Sequence, residues 1–289
     1  MLEGSMLDVS VVVPVRNAER LLDDCLTSIA RSRPRELIVV DGKSTDSTRE
    51  IAWRYTQRLL SDEGRGLPVA RLLGAQAASS PLVALVDADV VLPEGALEAL
   101  LDEFTEGGYL ALQAGLSSTS GPGYWGQALA EHHRTGRSKD WFGLVATIFD
   151  RDALLRHGFD QRFLSGEDIE LRWRLERAGA KVGVSRRTVV SHRFADDSFA
   201  FARGQFLADG HGLGRMVGKH GWRGGWLLAL PLAAGVRGMA LSVARGRPRW
   251  IPYYAAYSLY NYAGMLGAFR EALARGPSSS PARIVSKRG

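Results

Sequence analysis

Leu82-Val-Ala-Leu-Val86, running into Asp87-Ala88-Asp89, is the stretch on which the fold turns. Five apolar residues without a polar break suit a strand buried on both faces, as in a parallel sheet. The strand delivers two carboxylates one residue apart at its carboxyl end. Hard cations such as Mg2+ and Mn2+ take oxygen ligands, and one or two carboxylates suffice when phosphates supply the rest. In an open α/β sheet the crevice beyond the strand carboxyl ends is where ligands bind. Alone, an acidic pair after a strand fits a helix cap or a solvated turn equally well.

Two further strands point to the same crevice. Val9-Ser-Val-Val-Val13-Pro14 reads as buried strand and runs into Val15-Arg16-Asn17; Leu22, Leu26 and Ile29 then recur at helical spacing. Leu37-Ile-Val-Val40 is a second apolar strand, and it too ends on a carboxylate, in Asp41-Gly42-Lys43-Ser44-Thr45-Asp46. The Ser/Thr/Asp cluster predicts a helix from about Thr48 to Leu60, and Gly42 permits a tight turn beside a ligand. One reading is an ordinary strand-to-helix turn; the other gives Asp41 a hydrogen bond to a nucleotide base.

Farther along, Ser165-Gly166-Glu167-Asp168 precedes an amphipathic stretch with Ile169, Leu171, Trp173 and Leu175, closed by Gly179. Serine with an acidic residue three positions on has the form of a capping box. Asp168 therefore admits two readings, a cap or a general base. The helix dipole favours the ionised carboxylate in both cases.

The runs VSVVVPVRNAE (9–19), ELIVVDGKSTDST (36–48), ARLLGAQAASSPLVALVDADVVLP (70–93) and FLSGEDIELRWRLERAGAKV (163–182) resemble family 2 glycosyltransferases of the GT-A fold. The resemblance spans most of Val9 to His192. It implies a Rossmann-like, mostly parallel sheet flanked by helices, here followed by C-terminal apolar or amphipathic helices. It implies a donor site for a nucleotide-diphosphate sugar lined by Pro14, Arg16, Asn17, Asp41, Lys43, Ser44, Arg71, Asp87 and Ala88. Asp41 would meet the base and Asp87 the ribose or the metal. Asp89 would hold Mn2+ or Mg2+, with His192 completing the metal site. Asp168 would be the catalytic base of an inverting transfer, with Glu167 beside it to orient it or bind acceptor. Lys43 and Leu72 depart from the family pattern, where a small or acidic residue and an asparagine are usual, so the choice of base stays open.

Arg71 and Arg172 are candidate phosphate or acceptor contacts, since guanidinium forks match oxyanions. Trp141 and Trp173 are candidates for the acceptor side, against the alternative that both are core. His132 and His133 are adjacent, not at a helical ligand spacing, and read as helix surface or acceptor cleft. Ser117 to Gly123 reads as loop, and Leu144 to Phe149 as another apolar strand.

The chain has 289 residues, enough for one large α/β domain and an appendage. Residues 1–5 are expected to be a cloning remnant and no signal peptide is expected. Residues 6–200 would form the catalytic domain, 201–225 a linker, 226–272 membrane-associated helices, and 273–289 a basic flexible tail. The stretch from Asp196 to Gly214 leading into those helices could close over the donor as a lid. The single cysteine, Cys25, excludes an intramolecular disulfide. From Arg215 onward there are 12 Arg or Lys against one acid, Glu271; with a total of +6, the remainder carries −5. That basic tail is interleaved with apolar stretches, Trp226 to Ala244 and Trp250 to Phe269. Arginines beside tyrosine-rich apolar helices fit an anionic membrane surface rather than nucleic acid. The alternative is a helical hairpin packed on the catalytic domain or on a second subunit, its aromatic stripe ordinary core. Pro231, Arg237, Pro252, Asn261 and the Tyr/Trp content suit monotopic attachment rather than spanning, and cytosolic nucleotide sugars would place the catalytic domain on the cytoplasmic face. The acceptor would then be lipid-linked or a glycan. The competing functions are a retaining transferase or nucleotidyltransferase on a similar sheet, and a non-catalytic nucleotide-sugar-binding subunit.

Overall fold

Val9, Val11 and Val13 point to one side of the first strand and Val12 to the other, because successive side chains alternate across a sheet. Both sides are buried, and this divides the core into two layers. The computed structural model describes residues 6–135, 142–160, 162–163 and 165–275. Its sheet has eight strands: β1 (Leu7–Val15), β2 (Pro34–Asp41), β3 (Leu59–Ser61), β4 (Leu82–Val86), β5 (Val90–Val91), β6 (Ala111–Thr119), β7 (Ala146–Asp150) and β8 (Val182–Arg193), in the order β3-β2-β1-β4-β7-β6-β8-β5. The first four in that order run parallel; β7 is antiparallel to both β4 and β6, β8 is parallel to β6, and β5 is antiparallel to β8. The sheet is thus mixed, and parallel where the strands ending at Val15, Asp41 and Val86 lie.

One layer packs α1 (Leu22–Arg31) and α4 (Ala96–Gly107) on the sheet through Leu22, Leu26, Ile29, Leu97, Leu100 and Phe104. Cys25 is buried among them, a packing residue whose thiol burial pushes beyond its ordinary range. The other layer packs α3 (Leu67–Ala77), α6 (Arg151–His157) and α7 (Glu167–Arg177) through Ala70, Ala75, Leu154, Leu171 and Leu175.

The helix expected over Thr48–Leu60 is shorter: α2 covers Thr48–Trp53 and the chain then turns into β3. Leu59 and Leu60 pair with Val39 and Val40 instead of extending the helix, and Thr56 Oγ1 donates to Leu37 O across 2.7 Å. The stretch from Ser117 also differs, since β6 continues to Thr119 before the loop begins.

A larger correction concerns 201–225. It is no linker: α8 (Phe199–His220) is capped by Ser198, whose side chain accepts from Phe201 N, and a 3-10 segment, Gly221–Ala229, leads straight into α9 (Leu230–Ala244). The glycines that suggest a loop are contact points. A Cβ on Gly210 would lie 1.9 Å from Asn261 O and one on Gly264 2.2 Å from Leu207 O, so α8 and α10 (Ile251–Arg275) meet backbone to backbone. Phe206, Tyr253 and Tyr254 with Ala128 and Leu129 of α5 (Tyr124–Thr135) form a third cluster; Phe163, Leu213, Met216, Leu227 and Met265 form a fourth. The expected flexible tail overlaps α10 as far as Arg275, and the rest of it lies outside the described residues.

Candidate active site

Register brings the motifs together. Val15 pairs with Asp41 and Val12 with Leu85, so the loops after β1, β2 and β4 leave the sheet side by side. Asn17 and Lys43 adopt left-handed backbone, with φ of 49° and 61°, as the chain turns sharply at each loop. Asn17 Oδ1 accepts from Thr45 N at 2.9 Å, Asn17 N donates to Ser44 Oγ at 2.9 Å, and Gly42 N donates to Val15 O at 2.8 Å. Asp41 is buried, and its two oxygens accept from Ser44 N at 3.2 and 3.3 Å. Pro14 is buried while Arg16 is exposed at the rim. Lys43 reaches outward and pairs with Glu63 at 3.4 Å, both side chains in solvent.

Arg71 is the surprise of the site. Expected as a phosphate or acceptor contact, it is 1% exposed, with one terminal nitrogen 2.9 Å from Asp87 Oδ1 and the other 2.8 Å from Glu167 Oε1. The guanidinium fork holds two carboxylates that are 80 positions apart, clamping the start of α7 onto the turn after β4. Its Nε is buried without a partner among the described residues. Asp87 keeps 24% of its side chain exposed; burial pushes its carboxyl up to about 6 against the pull of Arg71.

Asp168 follows directly and is buried. The capping-box expectation fails here: Gly166, with φ of 78°, is the N-cap, and no side chain caps the helix. Ser165 is excluded from that role because α8 crosses at this point; a Cβ on Gly212 would lie 2.8 Å from Ser165 O. Among the described residues, Asp168 Oδ1 accepts only from its neighbour Ile169 N, at 2.8 Å. Burial raises its carboxyl to about 7, with the charge of Glu167 and, more weakly, that of Asp209 on α8 adding to the rise. A carboxylate titrating near neutrality suits a general base.

Asp89 meets His192 on the far side of the turn, Oδ2 to Nε2 at 3.3 Å. Backbone pairing fixes both: Val90 is opposite His192 in the β5–β8 ladder, and Arg193 N donates to Asp89 O at 3.0 Å. Burial opposes charge on His192, but the bond to Asp89 outweighs it and lifts its pKa above the ordinary value. Asp89 Oδ1 is buried with no partner among the described residues. Among the described residues no group of three or more His, Cys, Asp or Glu converges as a metal cage. A carboxylate with an orphaned oxygen beside an imidazole fits a hard cation whose remaining ligands are phosphate and water.

Other expected residues are engaged elsewhere. Arg172 Nε donates to Glu176 at 2.7 Å on its own helix. Trp173 packs on His220 and stacks on Trp226, with ring centroids 5.2 and 6.1 Å away, so it joins α7 to the C-terminal helices. Trp141 lies outside the described residues. His132 and His133 are not helix surface: burial pushes them down to about 4 and about 3. His132 faces Tyr253, Tyr254 and Tyr257, and His133 lies against His192. Sequence reading missed Ser118, which bonds to His192; its place in a Ser/Thr run hid it.

The fold is shared with solved glycosyltransferases. The mannosyltransferase PcManGT from Pyrobaculum calidifontis, in complex with GDP-Man and Mn2+, superposes with a TM-score of 0.63 at 19% identity, over 94% of this chain and 88% of that one. Glucosyl-3-phosphoglycerate synthase from Mycobacterium tuberculosis, with Mg2+ and UDP, gives 0.54 at 20% identity over 73% and 78%. By sequence, the pre-mycofactocin glycosyltransferase of M. tuberculosis is 32% identical over 203 residues, which is 64% of this chain and 42% of that protein. The chain thus spans less than half the length of that relative. The model of the family described as "Glycosyl transferase family 2" matches residues 10–163, more than half of the chain. On that match, supported by the shared fold, the chain belongs to glycosyltransferase family 2.

Proposed function

We propose that the protein transfers a sugar from a nucleotide-diphosphate sugar, with a UDP-sugar favoured, to an acceptor hydroxyl with inversion at the anomeric carbon. The carrying observation is the Arg71 clasp, which sets the start of α7, with Asp168, against the Asp87-Ala88-Asp89 turn. Asp41 and the Asn17–Ser44 loops receive the nucleoside, and Asp87 orients the ribose. Asp89 and His192 would hold Mn2+ or Mg2+, which when bound neutralises charge on the departing diphosphate. Asp168 takes the proton from the acceptor hydroxyl, which attacks from the face opposite the leaving group. Glu167 anchors the helix start through Arg71, so that Asp168 is held while its own charge remains available. The similarly folded mannosyltransferase in complex with GDP-Man and Mn2+ and synthase in complex with Mg2+ and UDP support a divalent cation and leave both bases in contention.

The acceptor is a lipid-linked or polymeric glycan at the cytoplasmic membrane face. Trp222 is 86% exposed, and Trp226, Leu228, Leu232, Val236, Val243, Leu259 and Leu266 also face outward. Arg223, Arg245 and Arg249 are exposed alongside them. The run Phe199–Ala244 is long and apolar enough to cross a membrane. Its first half, however, is committed to protein through Phe206, Leu213 and Met216, which supports attachment at the surface over spanning.

A thermal-shift panel of UDP, GDP, ADP and CDP, each with and without Mn2+, tests the donor site, because a ligand bound to the native state raises apparent stability by mass action. The expected result is a UDP shift that requires Mn2+ and disappears in Asp89→Ala. Equal, metal-independent shifts with all four would overturn the reading.

A further inference from the structure

His192 is engaged at both ring nitrogens. Nε2 faces Asp89 Oδ2 at 3.3 Å, and Nδ1 lies 3.3 Å from Ser118 Oγ. Ser118 is directly opposite His192 in the β6–β8 ladder, so the sheet register itself sets this contact. The same Oγ is 3.2 Å from Nδ1 of His133 on α5. The two imidazoles lie nearly parallel, with 17° between planes and centroids 6.3 Å apart, and Phe194 packs edge-on to both. One buried hydroxyl therefore sits between two imidazole nitrogens.

A hydroxyl has a single proton to give, while a neutral imidazole donates from one nitrogen and accepts at the other. Ser118 can donate to only one Nδ1, and the other must donate to it. An imidazole that offers Nε2 to a cation must carry its proton on Nδ1. Ser118 Oγ then accepts from His192 and passes its own proton into a bond with His133 Nδ1. His133 is stacked on His192 and meets Phe194 edge-on, which holds its ring with Nδ1 at the Ser118 hydroxyl.

We propose that Ser118 and His133 are positioning residues for the divalent cation, holding His192 as the Nδ1–H tautomer with Nε2 presented beside Asp89. The inference rests on reading Asp89 and His192 as the cation's protein ligands. It adds an outer layer of two residues, neither of which would touch the ion. Partners of this kind typically contribute about 10–100-fold to metal affinity.

The test is Mn2+ binding to the full chain in the presence of UDP, and separately of GDP, followed by the loss of the free-ion electron paramagnetic resonance signal. Ser118→Ala and His133→Phe are each expected to weaken Mn2+ binding about tenfold. His133→Asn, whose amide oxygen can take the place of Nδ1 as acceptor, is expected to stay within about threefold of wild type. Phenylalanine preserves the stack and asparagine preserves the acceptor, so a purely steric role predicts the reverse order. That pair decides the matter even if Ser118→Ala fails to fold. If His192→Ala weakens Mn2+ binding while Ser118→Ala and His133→Phe bind like wild type, the outer layer is refuted and the metal reading stands. If His192→Ala binds like wild type, or wild type takes up no Mn2+ with either nucleotide, both fall together.

Discussion

Arg71→Met is the substitution with the clearest energetic consequence. Methionine keeps most of the buried volume but removes the cation between Asp87 and Glu167. Glu167 is 8% exposed, so its carboxylate would face almost no water, whereas Asp87 at 24% keeps some hydration. Breaking a buried ion pair by deleting one partner costs about 3–5 kcal/mol, chiefly through the charge left behind. At roughly 2–4 °C per kcal/mol for a chain of this size, the melting temperature should fall by about 6–20 °C. The deficit should depend on pH. In the wild type, burial already raises Asp87 to about 6, so its protonated form favours the fold at low pH and that contribution is lost as pH rises through 6. Without the guanidinium, which pulls Asp87 downward, its carboxyl binds a proton more readily still, and the gap to wild type should be wider at pH 8 than at pH 5.5. The assay is thermal unfolding by circular dichroism at both values. Arg71→Met/Glu167→Gln removes the stranded charge and should recover about 1–2 kcal/mol. A single variant within 1 kcal/mol of wild type, or a double variant no more stable than the single, would refute the clasp as a stabilising element.

Two further outcomes follow from the site and from the C-terminal helices. With Asp168 as the proposed base and its carboxyl raised by burial to about 7, kcat/KM should climb about tenfold per pH unit below 7 and level off above it. Asp168→Asn should abolish transfer while leaving nucleotide-induced stabilisation intact; a flat profile from pH 5.5 to 8 contradicts the assignment. Trp222→Ser removes an 86% exposed indole and should weaken co-sedimentation with anionic vesicles by about 2 kcal/mol, roughly thirtyfold. Unchanged vesicle binding would argue against membrane contact at this face.

The strands carrying the proposed donor site were legible because each is a short apolar run that ends on a polar residue, a pattern that suits a doubly covered sheet. Asp87, Asp89 and Asp168 stood out by their places at strand and helix ends. What escaped reading depends on distance along the chain. Arg71 looks like any helix arginine until Glu167, 96 residues later, folds onto it. Ser118 and His133 carry no local signal and acquire one only from His192. The glycines at 210, 212 and 214 carry the composition of a loop, yet they mark where one backbone presses on another. Sequence shows that a side chain is missing there, and only the fold shows what fills the space.

The two-residue strand β5 has a consequence out of proportion to its length. Its ladder with β8 immobilises the peptide groups carrying Asp89 and His192 during folding itself. Residues on a floppy hairpin would surrender about 1–2 kcal/mol of backbone freedom apiece upon capture of an ion. Here that entropy has been lost before any guest arrives, so for the cation proposed at Asp89 and His192 the strength of the grip would be left to its dehydration and to the oxygens its cargo brings along.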